Sequence, residues 1–187
     1  MKVSVGISNR HVHLNEFDYK ILFQDHKLTK RNDLNQPGQF ACNERVQIIG
    51  PKGYLENVII VGPLRNYTQV EVSKTDCYKL GIDPPIRDSG NLDNASIVTI
   101  IGPYGKIERS CCIIANRHIH VDKSILKEKD LIGIKEVSIE VKGEKSGRLD
   151  HVHLKETEEA YFELHLDTDD ANAFLLKTGD EVEIINY

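Results

Sequence analysis

Eight histidines occur in 187 residues, and six of them stand in three His-x-His pairs: His11/His13, His118/His120 and His151/His153. Residues i and i+2 of a β-strand project from the same face. A His-x-His pair on a strand is therefore a two-nitrogen chelate for zinc or a similar metal. One pair alone is weak evidence. The first two pairs gain weight from matching surroundings: Ser8-Asn9-Arg10-His11-Val12-His13-Leu14 and Ala115-Asn116-Arg117-His118-Ile119-His120-Val121. Asn-Arg-His-aliphatic-His-aliphatic occurs twice, each time after an Ile-containing strand, and points to a metal site.

Further chemistry lies between and beyond these pairs. In Gly62-Pro63-Leu64-Arg65-Asn66-Tyr67-Thr68-Gln69-Val70-Glu71, Gly-Pro sets a tight turn and Arg65 follows on a loop, where a guanidinium can take phosphate bidentately. Taken alone, Arg65 reads better as a solvated surface charge. If the segment is extended, Gln69 and Glu71 share a face and Glu71 can add a carboxylate ligand. Near the C-terminus His165 stands among Glu163, Asp167, Asp169 and Asp170, acids that either orient an imidazole or cap a helix. Cys42, Cys77, Cys111 and Cys112 lack zinc-ribbon spacing. The strand setting of Cys111 and Cys112 suits buried structural thiols better than an acyl-enzyme nucleophile.

The elements that must position these residues are mostly strands. Short β-branched runs at 46–49, 58–61, 97–101, 113–114, 137–141 and 182–185 are bounded by Gly, Pro and Asn. Helical signal is confined to 15–23, 73–80, 122–128 and 169–176. The expected fold class is mainly β, two small β-barrel domains with short α-helical caps. A partial repeat supports two units: Ile48-Ile49-Gly50-Pro51-Lys52-Gly53-Tyr54-Leu55-Glu56 recurs as Ile100-Ile101-Gly102-Pro103-Tyr104-Gly105-Lys106-Ile107-Glu108, each a hairpin signature. The expected division is 1–88, with the first His-x-His motif and the Arg65 loop, and 89–187, with the second motif. The N-terminal strand is free to cross between the barrels.

Composition narrows the partners. The formal charge of −5 argues against nucleic acid as the main partner, while a small anion needs only a few local cations. The start of the chain runs directly into a strand-like stretch with no export segment, and no apolar run approaches the ~20 residues of a membrane span. The expectation is a cytoplasmic protein with reduced thiols.

Taken together the motifs resemble the PduL-type phosphotransacylase family, the phosphate propanoyltransferases of propanediol-using microcompartments and their acetate-forming relatives. The matching segments are Gly6 to Leu14, Gly62-Pro63 through Glu71, Arg87-Asp88-Ser89-Gly90, Arg117-His118-Ile119-His120, and His165 through Ala173, in order along nearly the whole chain. The resemblance implies two linked β-barrels and a dinuclear zinc site in the cleft between them. It implies His11, His13 and Glu71 as ligands of one zinc, whose open position accepts the coenzyme A sulfur. His118, His120 and His165 are implied as ligands of the second. Arg65 is implied as the phosphate-binding arginine and Ser89 as part of a Ser-Gly loop beside the site. Coenzyme A and phosphate are the implied substrates, propanoyl or acetyl the implied acyl group, and a homodimer the usual assembly. His151/His153 has no counterpart in the family pattern and is left outside the site. The microcompartment-directing N-terminal extension of some members is absent here, which suggests a freely cytosolic enzyme or one carried by partners. Two other functions fit a histidine-rich site: an amidohydrolase-like metallohydrolase and a non-catalytic metal-binding module. Should Arg65 not hold phosphate, Arg10 and Arg117 beside the histidine pairs are the next candidates.

Overall fold

The computed structural model describes residues 1–158 and 162–186. In chain order the strands are β1 (Lys2–Ser8), β2 (His11–His13), β3 (Lys30–Asp33), β4 (Phe40–Ile49), β5 (Tyr54–Gly62), β6 (Gln69–Glu71), β7 (Ile86–Arg87), β8 (Ser96–Ile101), β9 (Lys106–Ala115), β10 (His118–Asp122), β11 (Glu136–Val141), β12 (Gly147–Thr157), β13 (Glu163–Asp167) and β14 (Glu181–Asn186). The helices are α1 (Glu16–Phe23), α2 (Lys74–Leu80), α3 (Lys123–Glu128) and α4 (Thr168–Ala173). Runs of Val and Ile make the strands because branched side chains fit a pleated surface that is buried on one face.

Two compact units result. One combines Met1–Ser8 with Asn116–Tyr187, and the other is Asn9–Ala115. In the first, β1-β13-β10-β12-β11-β14 close into a six-stranded barrel. In the second, β2-β6-β9-β8-β4-β5 also close on themselves, since β8 pairs with both β4 and β9; β3 and β7 are appended at β4 and β9. The two rings share one plan. The His-x-His strand pairs parallel with one neighbour, β5 or β12, and antiparallel with the other, β6 or β13. The ring then closes through β9, parallel to β6, or β1, parallel to β13. The architecture is mainly β, two barrels with short helices, as expected. Its antiparallel pairings and scarce helices exclude the (β/α)₈ barrel of an amidohydrolase.

The division of the chain differs from the one expected. The position between 88 and 89 lies inside the second unit, and the chain passes from one unit to the other at Ser8/Asn9 and at Ala115/Asn116. The repeated Gly-Pro-x-Gly hairpins, closed by Gly50 N–H to Gly53 O and Gly102 N–H to Gly105 O at 2.9 Å each, connect β4 to β5 and β8 to β9. Both therefore sit in one barrel. The hairpins resemble each other because the same turn chemistry closes them, and they do not mark the duplication. The duplicated segment begins instead at the strand before each Asn-Arg-His motif: β1, β2, α1, β4, β5, β6, α2, β8 match β9, β10, α3, β11, β12, β13, α4, β14 in order and pairing.

Alternation along the motif strands separates core from site. Val12 and Ile119, both fully buried, join the apolar cores of their respective barrels. Each such side chain contributes about 1.5–3 kcal/mol on burial. The histidines at the flanking positions project from the other face. Each motif strand is followed at once by a capped helix. The side chain of Asn15 accepts from Asp18 N–H and that of Asp122 from Ile125 N–H, at 2.7 and 2.8 Å. β6 and β13 lead into capped helices alike: Ser73 and Asp76 form a reciprocal capping box on α2, and Asp167 accepts from the N–H groups of Asp169 and Asp170 on α4.

Candidate active site

In the unit 9–115, His11, His13 and Glu71 offer ligand atoms within 4.8 Å of one another. The grouping follows from register, because β6 runs antiparallel to β2 and sets Glu71 opposite His11 and Gln69 opposite His13. His11 Nε2 lies 3.2 Å from His13 Nε2 and 3.6 Å from Glu71 Oε2. The other nitrogens are committed: His11 Nδ1 to the Asn9 carbonyl at 2.8 Å, and His13 Nδ1 to the Val61 carbonyl at 3.1 Å. A carbonyl only accepts, so each Nδ1 carries a proton, and the lone pair of the ring in its neutral form lies at Nε2. Two lone pairs 3.2 Å apart repel unless a cation lies between them. Two nitrogens of a tetrahedral zinc with bonds of ~2.0–2.1 Å stand ~3.3–3.4 Å apart. The donor set therefore fits a zinc-sized ion. Burial keeps His13 well below the ordinary imidazole range, and the neighbouring His11 and Arg65 act in the same direction. It is the neutral form that ligates.

The second group, His118, His120 and His165, belongs to the other unit and repeats the geometry. His118 Nδ1 meets the Asn116 carbonyl at 2.8 Å, and His118 Nε2 faces His120 Nε2 at 3.2 Å. Antiparallel pairing of β10 with β13 places His165 opposite His118, the position Glu71 holds opposite His11. The motif's asparagine thus supplies the carbonyl that fixes the first histidine's tautomer, in both barrels.

The motif's arginine also has one task in both. Arg10 pairs with Asp76 at 3.0 Å and Arg117 with Asp170 at 2.8 Å. Asp76 and Asp170 each stand three residues after the cap of the helix that follows the third-ligand strand. These guanidiniums are thus engaged in tying motif to helix, which keeps them behind Arg65 as candidates for phosphate.

Arg65 differs. It is half-buried, and among the described residues it pairs with no carboxylate. Its Nη1 donates to Tyr67 Oη at 2.7 Å and to Ser89 Oγ at 3.5 Å, and its Nη2 donates to Gln39 Oε1 at 3.3 Å. The backbone holds the loop in place, with Arg65 N–H donating to the Leu14 carbonyl directly after the histidine pair. Gln69 extends the network: its amide nitrogen donates to Ser89 Oγ at 2.8 Å and to Glu71 Oε1 at 2.6 Å, and its oxygen accepts from Gly90 N–H at 2.7 Å. A continuous chain of hydrogen bonds thus joins Arg65, Ser89, Gln69 and Glu71. The loops of Gln39 and Tyr67 carry no periodic signal that would place them here from sequence, while Gln69 is legible there as sharing a face with Glu71.

His151 and His153 stand apart from both groups. Each contacts Glu136, at 3.0 and 3.3 Å, although His153 lies in register beside His118. All four cysteines are free and buried. Burial pushes the Cys111 thiol up to about 12 and Cys112 well above its ordinary value, so neither offers a thiolate nucleophile.

The model of the phosphate propanoyltransferase family matches residues 4–177. A phosphate propanoyltransferase of Thermotoga maritima is 44% identical over 99% of this chain and 90% of its own length. One of Rhodopseudomonas palustris is 44% identical over 98% of this chain and 82% of its own length, and one of Salmonella typhimurium 40% identical over 91% and 82%. The chain belongs to the phosphate propanoyltransferase family and is an acyltransferase of the phosphotransacylase type.

Proposed function

We propose that this chain interconverts a short acyl-CoA (propanoyl or acetyl) plus phosphate with the acyl phosphate plus coenzyme A, with one zinc ion in each three-residue group. The observation that carries the reading is the half-buried Arg65, held by neutral partners and joined through Ser89 and Gln69 to the Glu71 carboxylate. A guanidinium oriented by hydroxyl and amide oxygens, with no carboxylate to neutralise it, is set to receive an anion.

The reaction forms a bond from a phosphate oxygen to the acyl carbon and breaks the carbon–sulfur bond, with the electron pair leaving on coenzyme A sulfur. When bound, zinc supplies Lewis-acid stabilisation of a thiolate and of charge on a carbonyl or phosphoryl oxygen. His11, His13 and Glu71 would hold one ion, and His118, His120 and His165 the other. Arg65 binds phosphate at two points, offsets its charge and aligns it, making the attack effectively intramolecular. Ser89 Oγ already accepts from Gln69 and Arg65, so its own proton is available for donation to a phosphate oxygen. Tyr67 Oη is placed alike.

Initial rates with propanoyl-CoA and acetyl-CoA, with and without phosphate, test the reading. Release of coenzyme A should require phosphate and match acyl phosphate formed; equal release without phosphate would identify a thioester hydrolase instead. The proposed setting is the cytoplasm, in keeping with four free buried thiols. The proposed assembly is a homodimer, and association would cover some of the apolar area left open at Phe17, Tyr78, Ile97 and Ile132.

A further inference from the structure

The two triads share a plan but place their carboxylates differently. Opposite the first histidine of each pair stands Glu71 in one barrel and His165 in the other; opposite the second stands Gln69 in one and Glu163 in the other. Carboxylate and partner have exchanged places. Glu163 is buried, with 6% of its surface exposed, and its Oε2 lies 3.0 Å from His165 Nε2. A buried carboxylate needs such a partner. Its place is made by Gly6, which pairs with His165 across the parallel β1–β13 ladder. A Cβ at residue 6 would come within 2.5 Å of Glu163 Oε2 and 3.2 Å of His165 Cδ2. Glu163 therefore sits against the Nε2–Cδ2 edge of the His165 ring, which leaves Nδ1 on the opposite edge. Glu163 lies outside the group in which the three histidines bring their ligand nitrogens within 4.8 Å of one another.

We infer that Glu163 is a positioning residue for the second metal: it accepts the Nε2 proton of His165 and commits Nδ1 of that ring to the ion. Resting on the reading that this triad holds zinc, the inference makes the site one of mixed nitrogens. His118 ligates through Nε2, because its Nδ1 donates to Asn116, and His165 ligates through Nδ1. The negative charge that Glu71 brings as a ligand in one barrel comes in the other from behind a histidine. A carboxylate in that position raises the basicity of the ligating ring and fixes its orientation.

The test uses the full chain with ¹⁵N-labelled histidine, loaded with zinc, in long-range proton–nitrogen correlation spectra. His165 should show a zinc-bound Nδ1 and a protonated Nε2, and His118 the reverse pattern. Zinc binding measured by competition with a chromogenic chelator should weaken about 10–100-fold at this triad in Glu163→Ala, with the His11/His13/Glu71 ion retained. Glu163→Gln, whose amide oxygen can accept the same proton, should recover part of the loss. Gly6→Ala sets a Cβ hard against the Glu163 carboxylate, at 2.5 Å, and more lightly against the His165 ring edge, at 3.2 Å; it should weaken zinc alike, adding little on top of Glu163→Ala. A zinc-bound Nε2 on His165, or wild-type zinc affinity in Glu163→Ala, would overturn the inference. Failure of the unsubstituted protein to take up zinc at His118, His120 and His165 would remove the metal reading itself, and that outcome is read before any variant is made.

Discussion

Arg65 is where single-residue chemistry is most exposed to test. Arg65→Ala should lose about 2–4 kcal/mol of transition-state stabilisation, on the order of one preorganised donor, with phosphate KM raised and kcat lowered together. Arg65→Lys keeps the charge but loses the planar fork, so it should fall between wild type and alanine. Zinc content should not change in either variant. Initial rates against phosphate at saturating acyl-CoA, with metal analysis on the same samples, give the answer; an unaltered phosphate dependence in Arg65→Ala would show that phosphate is held elsewhere. The thiols and the third histidine pair supply the opposite expectation. Cys111→Ser, Cys112→Ser, His151→Ala and His153→Ala should each keep turnover within about tenfold, a barrier change under ~1.4 kcal/mol. His153 is the most demanding of these, since it lies in register beside His118. A thousandfold loss in any folded variant would misplace the site. Most of the candidate residues were legible in the sequence because they repeat, as Asn-Arg-His-x-His does, or because they share a strand face, as Gln69 and Glu71 do. Glu163 offered the same signal, two residues before His165 on a strand, but read alone it was one more acid in an acidic segment. Gln39 and Tyr67 reach the site only through tertiary placement.

At the scale of elements, the sequence announced its helices by their caps. Asn15, Ser73 and Asp122 begin the three expected at 15–23, 73–80 and 122–128, and each cap satisfies N–H groups that the first turn cannot. The fourth helix starts at Thr168 and ends at Ala173, shorter than expected, because Leu175 turns into the left-handed region. β12 carries the third histidine pair, as a strand setting for that pair implies, but no β-branched run marks its length, for a similar reason. His151 adopts a positive φ of 56°, and the pairing of β11 with β12 shifts register between Val137 and Ile139, so the buried positions Leu149 and Val152 fall three apart rather than two. The period-2 signal is broken by the irregularity itself. The caps also carry a prediction. Asp76→Ala removes both one arm of the α2 capping box and the partner of Arg10, and should cost about 1–2 kcal/mol of stability. Because Arg10 immediately precedes the ligand strand, zinc at His11, His13 and Glu71 should be held less tightly, while phosphate KM at saturating zinc stays near wild type. Thermal melts with and without added zinc would check this; a variant with unchanged melting and unchanged metal retention would deny the helix any part in holding the motif.

The whole molecule is a duplication in which a strand has changed place. β1 fills in one barrel the position that β9 fills in the other, and each is followed across a two-residue step by a His-x-His strand of the opposite unit. Sequence reading located the two motifs and the barrel class, but it set the boundary at a Pro- and Gly-containing stretch near residue 88. The true transitions occur at Asn9 and Asn116, inside the motifs, where nothing in composition marks a linker. Under the proposed function, each barrel builds its own metal centre from its own three side chains. His13→Ala and His120→Ala should therefore each lower the zinc content from about two ions per chain toward one. Loss of both ions from either variant would show that the centres are not separately built. The most direct measurement is elemental analysis of purified enzyme alongside its phosphate-dependent turnover of propanoyl-CoA, before and after chelation. Close to two zinc-like ions per chain, lost together with activity and restored together with it, is the predicted result; full turnover in protein free of bound transition metal would contradict the account.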